Sequence, residues 1–171
     1  MDGHFYALLA RMRYIQRWAL MRNTEPENIQ EHSHMVAILA HALALLQNKH
    51  FGGHIDPGPA ALLALYPDAT EILTGDLPTP IKYYNPALRA SYKEVEETAA
   101  NRLLELLPEE LRGDYAPYLL HPDPELEAVV KAADKLDAYL KCVKERKAGN
   151  GEFQTAQVQI WNALRANPLP A

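Results

Sequence analysis

The sequence has 171 residues, which is enough for one folded domain with a sizeable apolar core. A formal net charge of -5 argues against a general nucleic-acid-binding protein, and no run of about 18 apolar residues is present to cross a membrane. The single cysteine, Cys142, excludes an internal disulfide and a cysteine-based zinc site. These features predict a cytoplasmic protein whose partners include neither a nucleic-acid polymer nor a membrane.

Helical periodicity runs through the first half of the chain. Apolar spacing predicts a helix over residues 3–13, a connector that contains Pro26, and a long helix over residues 29–49. His32 lies on the apolar stripe of this long helix. Asp56 and Pro57 are residue types that cap and open a further helix.

The second half continues in the same way. Asn85 and Pro86 open a helix that ends near residue 108, and the four prolines between residues 108 and 124 predict turns and loop. An amphipathic helix covers residues 125–147, with Asp134 at the margin of its apolar stripe, and a last helix covers residues 152–166. Because no segment alternates like a strand, the sequence predicts an all-α helical bundle.

Residues 60–86 join an apolar run, two acids and a proline-rich loop. The apolar run over residues 62–66, typical of a buried helix, precedes Asp68 and Glu71, whose spacing places both carboxylates on one helix face. Burial of two acids beside apolar residues is costly unless they are paired, hydrogen-bonded or bound to a cation. A metal site is the simplest explanation if a histidine and a third acid join them, and His32 and Asp134 are the candidates.

Spacing alone also permits more ordinary interpretations. A single histidine on an apolar stripe is more often a hydrogen-bonded core residue than a ligand. An aspartate beside such a stripe is usually solvated, and Glu71 is equally readily a surface carboxylate. By the same reasoning Trp18 is a core residue and Arg17 a solvated one. The remaining histidines in question, read as surface or packing residues, are His34, His41, His50, His54 and His121.

The chain contains the motifs RWALMRN at residues 17–23, EHS at 31–33, YPDATE at 66–71, TGDLPTPIKY at 74–83 and KAAD at 131–134. These motifs resemble those of the HD-domain metal-dependent phosphohydrolases, and within them the YfbR-like bacterial 5′-deoxynucleotidases. The resemblance extends from His4 to about Trp161. It implies that residues 1–171 form a single HD-type helical domain with a C-terminus shorter than is usual for the family.

The resemblance also implies an activity: metal-dependent hydrolysis of deoxyribonucleoside 5′-monophosphates to deoxynucleoside and phosphate, by a homodimer. By position, the ligands of a divalent transition metal (cobalt, manganese, iron or zinc) are His32, Asp68 and Asp134. The catalytic pair would be Glu71, which activates the attacking water, and Asp68. Substrate contacts would come from Arg17, Trp18, Asp76, Leu77, Pro78 and Thr79, with the tryptophan disfavouring a 2′-hydroxyl.

One position departs from the family pattern. Pro67 stands where the family has a metal-binding histidine, and a proline cannot ligate a metal. Loss of a group that merely orients a ligand costs ~10–100-fold in affinity or activity, so loss of a ligand ought to weaken metal binding at least as much. His34 is a poor replacement because it lies about 200° from His32 around an ideal helix. The chain is then an impaired variant of an active enzyme or a natural member with slow turnover.

Two other functions stay open at this stage. One is an HD-type deoxynucleoside triphosphate triphosphohydrolase. The other is a catalytically inactive module that binds nucleotide or only self-associates, in which Pro67 marks the inactive site.

Overall fold

The computed structural model describes residues 4–82 and 84–169, and these ranges are dominated by helices. The α-helices within them are α1 (His4–Leu9), α2 (Ile29–His50), α3 (Pro57–Leu63), α4 (Glu71–Thr74), α5 (Thr79–Lys82), α6 (Pro86–Glu105), α7 (Glu109–Leu119), α8 (Pro124–Lys147) and α9 (Gln154–Arg165). Three 3₁₀ segments accompany them, at Ala10–Tyr14, Pro67–Thr70 and Gly151–Phe153. Across the described ranges the only extended pairing is an isolated antiparallel bridge between Gln16 and Asn28. The all-α prediction is confirmed.

The start of α2 is fixed by its cap. The Asn28 side chain accepts hydrogen bonds from the backbone N–H groups of Gln30 and Glu31, at 3.1 and 3.0 Å. The Glu31 carboxylate accepts one in return from the backbone N–H of Asn28, at 3.3 Å. This reciprocal arrangement satisfies N–H groups that the first helical turn leaves unpaired. It also fixes the turn that carries His32, which is only 2% exposed.

Two apolar clusters form the interior. The first joins α2, α3 and α8 through Val36, Ala37, Ala40, Ala44, Ile55, Ala60, Leu63, Ala64, Val129, Val130 and Ala133. The second joins α1 and the end of α6 to the 3₁₀ turn Pro67–Thr70, and α7 packs on its outside. Its buried residues are Phe5, Ala69, Leu103, Leu104 and Leu107. Ala64 belongs to the first cluster and Ala69 to the second, so residues 64–69 connect the two.

A buried ion pair fastens the connector before α2 to the C-terminal half of α8. Nζ of Lys141 lies 2.5 Å from Oε1 of Glu145, and the two side chains are 6% and 1% exposed. Glu145 also accepts hydrogen bonds from the N–H and hydroxyl of Thr24, at 2.9 and 2.6 Å, and from the amide of Asn150. Nζ of Lys141 in turn donates to the carbonyl of Glu25. These polar contacts hold the connector against the C-terminal half of α8.

The predicted loop between residues 108 and 124 is wrong, because α7 occupies Glu109–Leu119. Pro117 lacks the N–H that would donate to the carbonyl of Gly113, so α7 forms with this helical hydrogen bond missing. Tyr115, Ala116 and Leu119 pack against the second cluster, and this tertiary contact outweighs the weak local propensity.

Smaller differences concern the central stretch. α3 ends at Leu63, and Leu62 and Leu65 are 39% and 38% exposed, so the run over residues 62–66 is not the buried helix that its composition predicted. The predicted loop over residues 77–80 ends in the short helix α5, which begins at Thr79. The predicted helix start at residue 3 and the closing Pro170 lie outside the described residues.

Among the described residues, no helix combines the length and the hydropathy needed to cross a membrane.

Candidate metal and nucleotide site

The structure brings together the three predicted metal ligands around the imidazole of His32. Oδ1 of Asp134 lies 2.9 Å from Nε2 of His32, and Oδ2 of Asp68 lies 3.5 Å from the same nitrogen. His32 comes from α2, Asp68 from the 3₁₀ turn Pro67–Thr70, and Asp134 from α8. Their side chains are 2%, 28% and 50% exposed. The cluster therefore has a buried histidine at its base and two partly exposed carboxylates at its rim.

The donor types and the two separations measured from Nε2 suit a divalent cation. Imidazole nitrogen and carboxylate oxygen suit first-row transition metals. Ligand bonds of about 2.1 Å that meet at roughly 90–110° put neighbouring donor atoms about 3.0–3.5 Å apart. The two separations from Nε2, 2.9 and 3.5 Å, fall close to this range. The assignment of these three residues as ligands stays a prediction that the geometry supports.

The other ring nitrogen of His32 contacts a residue that sequence reasoning missed. Nδ1 lies 2.7 Å from Oδ2 of Asp137, whose side chain is 8% exposed. Asp137 follows Asp134 by three residues on α8, so both carboxylates leave the same side of that helix. A sequence signal did exist, since Asp137, Lys141 and Glu145 repeat every fourth residue after the buried Ala133.

Charge and burial set unusual proton affinities in the metal-free cluster. Burial alone would lower the pKa of His32, but its hydrogen bonds to Asp134 and Asp137 outweigh burial and raise the pKa to about 9. Burial also raises the pKa of Asp68, although the charges of His32 and Arg17 oppose the rise. The metal-free protein therefore holds His32 as a cation at neutral pH.

Glu71 lies beside the cluster, at the start of α4. It follows Asp68 by three residues, and 3₁₀ geometry aligns residues at that spacing. Burial raises the pKa of Glu71 to about 9, and the nearby charges of Asp68 and Asp76 reinforce the rise. Glu71 is consequently a protonated carboxylic acid near neutral pH in the metal-free protein, which is the form that donates a proton.

Arg17 and Trp18 share one acceptor, the carboxylate of Glu27, which sequence analysis also missed. Oε2 of Glu27 lies 3.3 Å from Nε of Arg17 and accepts a hydrogen bond from the indole N–H of Trp18 at 3.1 Å. The charge of Arg17 lowers the pKa of His32 and of Asp134, so its guanidinium lies close enough to the cluster to act on both. The Arg17 side chain is 15% exposed.

The backbone holds Trp18 in an uncommon conformation. Its φ is 58°, in the left-handed region that bulky residues rarely adopt. The Trp18 carbonyl accepts hydrogen bonds from the N–H of Met21, at 2.9 Å, and the side-chain amide of Asn23, at 3.3 Å. The indole ring packs 5.3 Å from the buried ring of Phe153. Strain of this kind is stored where surrounding contacts fix the geometry, and it is common at functional sites.

The predicted sugar-and-base loop lies next to Glu71. Gly75 makes the turn with a φ of 74°, which a side chain would strain. Asp76, Leu77 and Pro78 are half-buried, whereas Thr79 is exposed at the first residue of α5. The electrostatic effect of Asp76 on Glu71 places this loop at the cluster, and the substrate contacts of residues 76–79 stay a prediction.

Pro67, and the histidines other than His32 discussed above, contribute no donor atom to this cluster. Pro67 is exposed and occupies the first position of the 3₁₀ turn, where a missing N–H costs no helical hydrogen bond. His34 is exposed on α2, so the structure offers no support for it as a replacement ligand. The remaining histidines predicted as surface or packing residues, His41, His50, His54 and His121, are all exposed.

The architecture is that of the HD-domain phosphohydrolases. An HD-domain phosphohydrolase from Listeria innocua matches with a TM-score of 0.80 at 23% sequence identity, over 95% of this chain and 77% of that one. The cyanophage S-2L HD phosphohydrolase DatZ, whose structure contains dA and one catalytic Zn²⁺ ion, matches with a TM-score of 0.68 at 22% identity, over 96% of this chain and 84% of that one. At these identities the likeness establishes the fold.

Sequence comparison identifies the family. A family model described as 5′-deoxynucleotidase YfbR-like matches residues 4–171. The 5′-deoxynucleotidase of Vibrio cholerae is 54% identical over 166 residues, which cover 96% of this chain and 86% of the relative. That of Shewanella oneidensis is 49% identical over 171 residues, which cover 99% and 88%. The chain therefore belongs to the YfbR-like 5′-deoxynucleotidase family, and the resemblance found in the sequence is confirmed.

Proposed function

We propose that this chain is a metal-dependent phosphohydrolase that converts deoxyribonucleoside 5′-monophosphates to deoxynucleosides and phosphate. The observation that carries the proposal is the pair of carboxylates, Asp68 and Asp134, that face Nε2 of the buried His32. Membership of a family whose members are named 5′-deoxynucleotidases supports the choice of reaction and substrate. The cofactor is a divalent metal, and cobalt, manganese, iron and zinc are the candidates we propose.

The residues divide the work of phosphate-ester hydrolysis. A divalent metal, when bound, neutralises phosphoryl charge and supplies an activated water. His32, Asp68 and Asp134 would hold it. Glu71, one 3₁₀ turn from Asp68, would take up or return the proton of the attacking water.

Arg17 and the loop at residues 76–79 would hold the substrate. The Arg17 guanidinium uses Nε for Glu27, which leaves its terminal nitrogens to contact a phosphate in the planar geometry that arginine favours. Trp18, fixed by Glu27 and Phe153, would pack beside the sugar and disfavour a 2′-hydroxyl. Asp76, Leu77, Pro78 and Thr79 would line the sugar and base.

We propose that Pro67 lowers the metal affinity of this site. One imidazole and two carboxylates remain as donors, and the exposed proline adds none. Metal binding is therefore weaker than in relatives that keep a histidine at this position, and activity depends more steeply on the free metal concentration.

We further propose that the chain acts in the cytoplasm as a homodimer of single HD-type domains. Helix α9 has no buried residue, and its Val158 and Trp161 are 55% and 46% exposed. On the neighbouring helix α8, Leu140 is 39% exposed, and the ring of Tyr139 packs 5.3 Å from that of Trp161. An apolar face of this kind supports self-association. Sedimentation of wild type and of Val158→Glu tests this proposal. Wild type should sediment as a dimer and Val158→Glu as a monomer, and a wild-type monomer would contradict the proposed dimer.

The test of the activity is hydrolysis of dAMP with added manganese or cobalt. We expect release of phosphate, and loss of at least ~10–100-fold in Asp68→Asn, since a ligand is removed. Asp114→Asn, the same exchange at an exposed carboxylate, should match wild type. Release of triphosphate from dATP without phosphate from dAMP would establish the triphosphohydrolase instead. Nucleotide binding without hydrolysis at saturating metal would establish an inactive binding module.

A further inference from the structure

We propose that Asp137 is the positioning residue of His32: it holds the Nδ1–H of the imidazole and thereby presents Nε2 towards Asp68 and Asp134 for metal binding. The inference rests on the proposed function in so far as it assumes a metal at Nε2. It adds a residue to which neither the family motifs nor the sequence pattern assign a role.

The contact is short and enclosed. Nδ1 of His32 and Oδ2 of Asp137 are 2.7 Å apart, within the range of charge-assisted hydrogen bonds, and the side chains are 2% and 8% exposed. On the opposite edge of the ring, Nε2 lies 2.9 Å from Oδ1 of Asp134. A half-turn of the ring would replace both nitrogens by carbon atoms and lose both contacts. The two carboxylates of α8 thus fix the ring in one orientation.

The same contact fixes the tautomer. A neutral imidazole has one N–H and one lone pair, and an ionised carboxylate can only accept a hydrogen bond. The metal-free His32 is a cation with a proton on both nitrogens. In the neutral imidazole that binds a metal, Asp137 therefore keeps the single proton on Nδ1, and the lone pair of Nε2 is directed to the side of the ring where Asp68 and Asp134 lie. A carboxylate partner also makes the imidazole a stronger donor to a metal. Because this chain has Pro67 in place of a second imidazole, its metal affinity depends more strongly on the donor strength of His32.

A competing arrangement uses the same atoms. Glu27, His32 and Asp137 each have a ligand atom within 4.8 Å of those of the other two, so the alternative is a cation on the Nδ1 side of the ring. The Glu27 carboxylate, however, already accepts from the Trp18 indole and pairs with Arg17. A cation there would also displace the 2.7 Å hydrogen bond. The contacts favour Asp137 as a hydrogen-bond acceptor and Nε2 as the metal-binding atom.

The test combines a spectroscopic readout with metal titration. The ¹H and ¹⁵N resonances of His32 are recorded in the full chain, metal-free and with Zn²⁺, in wild type, Asp137→Asn and Asp137→Ala. We expect a slowly exchanging, downfield Nδ1–H signal in wild type that is weakened in Asp137→Asn and lost in Asp137→Ala. Zn²⁺ and Mn²⁺ affinities from calorimetry should fall by ~10–100-fold in Asp137→Ala and by less in Asp137→Asn, whose amide oxygen still accepts.

Matched controls separate the explanations. Asp114→Asn should leave the His32 signal and the metal affinities unchanged. Glu27→Gln should also leave the Zn²⁺ affinity unchanged, and a loss there as large as in Asp137→Ala would place the cation on the Nδ1 side and overturn the proposal. If Asp137→Ala does not fold, the isosteric Asp137→Asn decides the matter.

The two proposals fail in different ways. An Nδ1–H signal that does not depend on Asp137, or unchanged affinities in both variants at position 137, would overturn the positioning role while the metal site stands. A wild-type chain that binds none of the metals overturns the proposed function, and the His32 signal of the metal-free protein still decides whether Asp137 positions the ring.

Discussion

At the level of single residues, position 67 sets how tightly the site holds a cation. Pro67 is exposed at the first position of a 3₁₀ turn, so its replacement loses little apolar burial and no helical hydrogen bond. We expect Pro67→His to raise metal affinity and hydrolysis of dAMP at limiting metal by ~10–100-fold, because it adds an imidazole next to Asp68. Calorimetric titration with Mn²⁺ or Co²⁺ measures the affinity.

Pro67→Ala is the matched control for this substitution. It restores the backbone N–H without an imidazole, so its affinity should stay at the wild-type value. A gain in Pro67→Ala equal to that in Pro67→His would show that the backbone, and not a missing ligand, limits metal binding.

A second prediction at this scale concerns Arg17. Arg17→Lys loses the planar group that contacts Glu27 through Nε while its terminal nitrogens remain for phosphate. Hydrogen bonds to charged groups contribute about 1.5–3 kcal/mol, so we expect kcat/KM for dAMP to fall by roughly 10–100-fold. Arg11→Lys, at an exposed position, should match wild type. An unchanged kcat/KM in Arg17→Lys would remove Arg17 from the substrate site.

Single residues were also where the sequence was least informative. His32, Asp68 and Asp134 were identified because motifs mark them, and the structure places them together. Asp137 and Glu27 were missed because a charged residue is usually solvated, and only packing shows that these two face a histidine and an arginine. The repeat of Asp137, Lys141 and Glu145 marks one face of α8, but the residues that lie opposite this face are decided by tertiary packing.

At the level of elements, the ion pair between Lys141 and Glu145 holds the connector that leads from Trp18 to α2. Glu145→Ala leaves Lys141 buried without its partner, and breaking a buried pair in this way costs about 3–5 kcal/mol. We expect the free energy of unfolding in urea to fall by that amount. Glu127→Ala, which breaks the exposed pair with Lys131 on the same helix, should cost less than about 1 kcal/mol. Equal losses in the two variants would mean that burial of the pair adds nothing.

The same carboxylate makes stability depend on pH. Burial would raise the pKa of Glu145, but hydrogen bonds from Lys141, Thr24 and Asn150 outweigh burial and hold the pKa well below its ordinary value of 4.5. Because the folded-state pKa is lowered, the stabilisation is complete above pH 4.5 and decreases as the pH falls below it. Wild type should therefore lose stability more steeply than Glu145→Gln as pH falls below 4.5, as followed by urea unfolding. Parallel curves for the two proteins would contradict this origin.

Elements as such were largely predictable. The long helices α2, α6 and α8 follow from apolar periodicity and from the residues that cap their first turns. These caps are Asn28 for α2, Asn85 for α6 and Asp123 for α8. α7 was not predictable, because its prolines and polar residues favour a loop and its helix is selected by contact with the second apolar cluster. Local propensity is a weak determinant wherever tertiary packing is available.

For the whole molecule, the proposed metal should stabilise the fold. A ligand that binds only the folded state at a free concentration of 100 times its Kd adds about 2.7 kcal/mol to the free energy of unfolding. We expect thermal unfolding of wild type to move upward with added Mn²⁺ and to return when a chelator is added. His32→Gln should show neither shift. An equal shift in wild type and His32→Gln would locate the cation elsewhere on the chain.

The connection between the two apolar clusters has a consequence for how activity is lost when the protein partly unfolds. His32 and Asp134 belong to helices of the first cluster, whereas the turn that carries Asp68 is anchored in the second through Ala69. If α1, α6 and α7 loosen while α2 and α8 remain folded, Asp68 and Glu71 are carried away and the imidazole stays in place. Mild denaturant would then abolish turnover while most of the helical signal persists. An activity assay would therefore detect separation of the two clusters at lower denaturant than circular dichroism does.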